Sequence, residues 1–402
     1  LRLNPPFIQK ALGGLVLLLV VVAPTQWSLP LPGGVHLTLA DLLLLVAVPL
    51  GLCAGLRAWP LPFSHALFLG LAGLSAALAS DWREAVKEWI QLALYFGLAT
   101  WLAETALRQG GRRGMTRAVQ AFLVAGVFIV VLALAQYWRV PHDNPLEVRG
   151  TFGNRNVLGG YLALLLPLAF GLHLYAASLW RRIALALLVM AGLSVCLSGP
   201  ALLAIVLVLV ALAAQRGRFW LLGTGLVLMA GYTLVLPRMP RANDYAAFAS
   251  MALYDEAGEP SRRYPEWQAA AVMALERPWT GQGLGSYQKQ IGSFYGVVPN
   301  ATGPAEPDIQ NLYLVLAATA GLPACFAFLA MLLDAAASAC RGRLLRRADE
   351  GGLLPGLDAG LAGALAAFAL TAVWHPLLVR GIGLPLALIL VAARFRKVAD
   401  EL

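Results

Sequence analysis

Charge is what this sequence has least of. Only 13% of its 402 residues are Asp, Glu, Lys or Arg, about half of what a soluble chain uses to cover its surface. With 59% apolar residues and a mean hydropathy of +0.72, lipid must wet much of the exterior, which excludes soluble nuclear, secreted and cytosolic classes. Cysteine is scarce too. Cys53, Cys196, Cys325 and Cys340 lie in or beside apolar runs with no CxxC or Cys/His spacing, so neither a disulfide frame nor a zinc site is indicated and the four read as small buried side chains. The formal charge of +9 would suggest nucleic acid if the basic residues shared one soluble face. They are scattered between apolar runs, so the expected partner is a lipid bilayer and not a nucleic acid. The stretch Ala11–Val22 has no A-x-A cleavage site and reads as a first span, not a separable signal peptide.

A membrane-spanning helix needs about 20 mostly apolar residues, and that ruler predicts an all-α polytopic protein with about twelve spans: 8–24, 37–57, 61–79, 87–107, 117–138, 156–176, 181–197, 199–214, 219–237, 310–334, 356–374 and 380–395. The chain then divides into residues 1–138 with the first five spans, 139–237 with spans six to nine, a long outer loop over 238–309, and 310–402 with the last three. Lys and Arg concentrate in cytoplasmic connections. With both termini inside, alternate short connections hold 18 of the 30 basic residues, while the outer segments hold 13 of the 21 acidic ones. That alternation predicts an inner-membrane protein with cytoplasmic termini and its long loop on the periplasmic side.

Three outer pieces carry information: residues 80–88, residues 139–155, and the long loop. The loop contains a predicted amphipathic helix, Tyr264–Arg277, with Ser261 as N-cap and Pro278 as its stop, and with Trp267, Ala271, Ala274 and Leu275 on one side. The Gly281-Gln282-Gly283-Leu284-Gly285 run that follows lacks the GK[ST] ending of a phosphate-binding loop. It reads as a tight turn. Arg149, Arg155, Arg262 and Arg263 stand near spans or compact motifs, and several arginine forks converging at the outer surface would suit a lipid-linked diphosphate. Headgroup anchoring, or pairing with Glu147, Glu259 and Glu266, is the competing reading. His375, in Trp374-His375-Pro376, is a candidate general base or a capped interface residue. Glu306 and Asp308, just before the tenth span, are rival bases.

Three blocks of residues carry a resemblance. Arg149-Gly-Thr-Phe-Gly-Asn154-Arg155-Asn156 is similar to the G-T-F-x-N-x-N block of the O-antigen ligase and polymerase superfamily. Arg263…Trp267 through the 281–285 glycines resembles its R…W…G-x-G-x-G block, and Gln310-Asn311-Leu312-Tyr313-Leu314 through Gly321-Leu322-Pro323 resembles its H-N-x-Y-L…G-L block. The likeness runs over roughly residues 149–395. It implies an inverting, metal-independent glycosyl transfer that needs no cofactor. The donor would be a glycan on undecaprenyl diphosphate, and the acceptor a sugar hydroxyl on lipid A–core for a ligase or on another lipid-linked repeat for a polymerase. Arg262 or Arg263 would hold the diphosphate and stabilise its leaving charge. Arg149 and Arg155 would assist, and Asn154, Asn156, Trp267, Asn311, Tyr313 and His375 would contact substrate.

Two departures from the family pattern bear on the chemistry. The family's histidine is Gln310 here, and an amide can orient a hydroxyl but not deprotonate it. The turn before the eighth span reads Ser198-Gly199 where many ligases have Ser-Arg. The base is then Glu306, Asp308 or His375, or the acceptor needs little deprotonation, or activity is reduced. A transporter or flippase of lipid-linked glycans is the alternative class, with Asp41 and Glu104 as its ionisable residues. An inactive relative is another.

Overall fold

A computed structural model describes residues 5–26, 28–31, 35–53, 61–139, 148–218, 263–295, 311–345, 353–378 and 381–399. The elements are α1 (Pro5–Val22), a hairpin of β1 (Ser28–Leu31) and β2 (Val35–Thr38), α2 (Leu39–Cys53), α3 (Phe63–Ala77), α4 (Trp82–Leu92), a π-helical segment (Ala93–Ala99) and α5 (Thr100–Arg139). Then follow α6 (Arg155–Tyr175), α7 (Leu179–Ser194), α8 (Gly199–Gln215), α9 (Arg263–Glu276), α10 (Tyr287–Gln290), α11 (Gly292–Tyr295), α12 (Leu312–Ala320), α13 (Leu322–Leu345), α14 (Leu353–Thr371) and α15 (Gly383–Ala399). Three helical stretches are long and apolar enough to cross a membrane: 82–139, Arg155–Tyr175 and 322–341. Shorter apolar helices accompany them. The expected ninth span and most of the expected loop lie outside the described residues.

The structure departs from the expected elements in two places, the hairpin and the tenth span. The antiparallel hairpin, paired Ser28 to Thr38 and Leu31 to Val35, adds strands to a chain read as all helix. The fourth and fifth expected spans are two helices, as read: within α5 the chain kinks at Gly111, in the arginine-rich 108–117 segment, where φ is 53° and ψ −143°. The tenth span is two helices, α12 and α13, broken at Gly321 (φ 90°). A side chain at Gly321 would start 2.5 Å from the Trp279 carbonyl oxygen, so the chain turns where only a hydrogen fits.

Helix α6 is the spine. Nearly all of it is buried, Tyr161 to Ala169 included, and it packs along α14 backbone to backbone. A Cβ on Gly171 would lie 2.5 Å from the Gly360 Cα, and one on Gly360 would lie 2.8 Å from the Leu168 carbonyl oxygen. Lipid tails are as apolar as Leu, so helices in a bilayer associate through such close van der Waals approach of small residues. On the other side of the bundle Phe68, Phe96 and Phe328 interlock α3, the π segment and α13, with centroids 5.5 to 6.3 Å apart. Edge-to-plane contacts of this kind are favourable for aromatic rings. Cys196 and Cys325 are buried as expected, but Cys340 is exposed near the end of α13.

Candidate active site

The turn 372–378, after α14, touches all three sequence blocks. Leu377 packs where a Cβ on Gly160 would be, 2.6 Å away, which joins the turn to the first block's helix. The Trp374 ring lies 6.4 Å from that of Trp267, which joins it to the second. The Leu312 amide donates to the Ala372 carbonyl at 2.9 Å, which joins it to the third. At its centre His375, 1% exposed, has its Nε2 2.9 Å from Ser198 Oγ. Ser198 in turn sits against α6, 2.9 Å from where a Gly159 Cβ would be. The two consecutive glycines of α6 thus let the Ser198 turn and the 372–378 turn approach the same helix.

The glycine run is a turn, and a structural one. Gly281, Gly283 and Gly285 have φ of 66°, 106° and 70°. Gln282 and Gly283 donate their amides to the carbonyls of Ala318 and Thr319, both at 2.9 Å, and Leu322 donates to Pro278 at 2.8 Å. The second and third blocks are therefore held together by main-chain bonds that satisfy the free carbonyls at the end of α12. Ser75 Oγ–H adds a further bond to the Thr319 carbonyl. A Cβ on Gly281 would fall 2.3 Å from that same carbonyl. Gly281→Ala is accordingly expected to cost about 2–5 kcal/mol from positive φ and overpacking, read as a large drop in Tm, whereas Gly292→Ala, with open space around it, should change Tm little.

Several residues expected to meet substrate are holding helices. Asn154 Oδ1 accepts from the Val157 amide and caps α6. Asn311 Oδ1 accepts from the amides of Tyr313 and Leu314 and caps α12, and the Tyr313 hydroxyl donates to the Ala369 carbonyl of α14 at 2.8 Å. N-caps of this type stabilise by roughly 1 kcal/mol. Arg149 is exposed; its guanidinium donates to the Gly153 carbonyl at 3.3 Å, inside its own loop, which Gln136 grips through Arg149 and Gly150. Arg155 and Asn156 are half-buried at the start of α6. Arg263 opens α9, while Arg262, Ser261, Glu306, Asp308 and Gln310 lie outside the described residues.

Helix α9 turns a different face inward from the one expected. Ala269, Ala270, Met273 and Ala274 are buried and Leu275 is 69% exposed. The ionisable residues of the transporter reading are engaged in local structure: Asp41 Oδ2 accepts from the Thr38 amide and hydroxyl at the start of α2, and Glu104 pairs with Arg108 at 2.9 Å.

A cavity of about 310 Å³ opens beside the 372–378 turn, walled by Glu88, Leu284, Tyr287, Gln288, Thr319 and Pro376 among others. Tyr287 is buried, and its hydroxyl has no hydrogen-bond partner among the described residues; the same is true of the Trp267 indole N–H. Burial, then Tyr295 and Glu266, push the Tyr287 hydroxyl well above its ordinary range, which keeps it a neutral donor. Lys289 bonds Asp81 at 2.6 Å and holds that carboxyl below its usual range, tying the 80–88 segment to α10. Glu88 lies in the outer 80–88 piece that the sequence marks, whereas no motif in the sequence singles out Tyr287 or Gln288 for the cavity. The Trp374-His375-Pro376 tripeptide and the Ser198-Gly199 turn are the local signals.

Comparison with known proteins agrees with the second and third blocks. No curated protein matches the chain. Residues 197–329 match the family model described as O-antigen ligase, a span that opens one residue before Ser198 and runs through the glycine turn and the helix break. The first block and the 372–378 turn fall outside it. Over residues 197–329 the chain is similar to the O-antigen ligase family.

Proposed function

We propose that the chain transfers a glycan from undecaprenyl diphosphate to a sugar hydroxyl at the periplasmic face of the inner membrane. The observation that carries this reading is the meeting of all three family-like blocks at the 372–378 turn, beside a cavity of sugar-ring dimensions. In the reaction the acceptor oxygen attacks the anomeric carbon, the bond from that carbon to phosphate breaks, and undecaprenyl diphosphate leaves with the electron pair. Arg262 and Arg263, before and at the start of α9, neutralise the leaving diphosphate. The hydroxyl proton goes to His375, whose Ser198 partner orients the ring. Trp267 Nε1–H and Tyr287 Oη–H, two buried donors with no partner among the described residues, bind sugar oxygens, since such groups gain most from a ligand that supplies the missing acceptor.

Purified protein supplied with a synthetic undecaprenyl-diphosphate oligosaccharide tests the reading, with lipid A–core and a second lipid-linked repeat offered separately as acceptors. Product on lipid A–core identifies a ligase, and lengthened lipid-linked chains identify a polymerase. Donor that is bound but never transferred, with either acceptor, overturns the proposal.

A further inference from the structure

Helix α6 starts at the candidate site and ends, at Tyr175, on the opposite side of the bundle. A second cavity of about 380 Å³ opens there between α5, the end of α6 and α7. Its inner wall is apolar (Val119, Leu123, Leu172, Leu185), and its mouth carries Thr116 and Arg181. Arginine crowds this end of the bundle, and six of these arginines fall into two groups.

The first group closes helix ends. Arg182 Nε donates to the Ala176 carbonyl at 2.5 Å and Arg218 donates to the Leu174 carbonyl at 2.9 Å, which satisfies the free carbonyls at the terminus of α6. Arg216 lies over the Tyr175 ring at 3.7 Å. The second group has no such task. Arg112 and Arg113 precede Thr116 by four and three residues, so they share its face of α5 one turn further out, and the Thr116 hydroxyl bond to the Arg112 carbonyl confirms the helical spacing. Arg112, Arg113 and Arg181 are all exposed. Among the described residues none of the three pairs with a carboxylate.

An apolar slot between helices, rimmed by guanidinium groups that pair with no carboxylate among the described residues, is complementary to an acyl chain attached to an anionic headgroup. We propose that this cavity is a binding site for an acidic phospholipid, with its phosphate on Arg113 and Arg181 and part of one acyl chain against Leu123, Leu172 and Leu185. The site is distinct from the candidate active site, and the proposal does not depend on glycan transfer.

The test is thermal unfolding of the purified full chain in a neutral detergent, with added phosphatidylglycerol, phosphatidylcholine or inorganic phosphate. A ligand that binds the native state raises Tm by mass action. Phosphatidylglycerol should raise the wild-type Tm by several degrees, well beyond the effect of phosphatidylcholine, and inorganic phosphate should leave it unchanged. The R113Q/R181Q double variant should lose most of that rise. R182Q/R218Q should start from a lower Tm, because α6 loses its end caps, yet keep the full phosphatidylglycerol increment. An undiminished increment in R113Q/R181Q overturns the site, an equal response to phosphatidylcholine overturns its preference for charge, and an equal response to phosphate overturns the lipid.

Discussion

His375→Gln should lower glycan transfer by about 10²–10⁴-fold, the range that a positioned general base contributes, while leaving the fold and donor binding in place. Glutamine can keep a hydrogen bond to Ser198 Oγ but cannot take up a proton. The two roles of the imidazole, holding the turn and accepting the proton, are therefore separated by one substitution. If His375 is the base, the acid limb of the pH–rate profile should vanish along with the lost rate, and His375→Ala should add a loss of Tm from the buried cavity it leaves. Transfer at the wild-type rate in His375→Gln, with an unchanged profile, would reassign the proton to the Glu306–Asp308 segment. The placement of His375 gives the expectation its weight. The Leu312 amide, in the block where the family carries its histidine, bonds directly to the Ala372 carbonyl, so His375 stands on the turn that this block contacts.

The Arg262→Ala/Arg263→Ala double variant should lose about 10²–10³-fold in transfer, as expected when a donor aimed at developing negative charge is removed. The loss should fall on kcat more than on KM for the acceptor, because the charge to be neutralised grows as the diphosphate departs. Substitution by lysine at both positions should restore part of the rate, since charge is kept and the planar fork is lost. An unchanged kcat in the alanine variant would refute the assignment, and insertion and Tm serve as the check that the fold survives.

Much of the architecture was legible in the residues. The limits of α6 and α8, the proline-stopped helix before the glycine run, and the turn nature of that run all follow from hydropathy, capping residues and glycine. Hydropathy fails where it has no power to discriminate. The arginine-rich stretch 108–117 reads as a connection and the helix does kink there, at Gly111, but an apolar run such as 310–334 looks like one span whether or not Gly321 breaks it. The inward face of α9 was misplaced because a row of alanines gives no moment to orient it. At the site, a motif marks residues without saying why they are there. Asn154, Asn311 and Tyr313 belong to the blocks, and the structure uses all three to hold helices, while the side chains lining the cavity come from segments far apart in sequence.

The stitching of the glycine turn into the break between α12 and α13 has a consequence for traffic. Amides at 282, 283 and 322, with the Ser75 hydroxyl, fasten the glycine turn and α3 to the break between α12 and α13. A flap hinged at these glycines would have to give up those bonds each time it opened. The glycine turn therefore acts as a fixed sill, not a door. A polyprenyl donor, whose tail never leaves the bilayer, would reach the site by sliding in sideways between helices, and turnover should then depend on the fluidity of the surrounding lipid more than on the viscosity of the water above it.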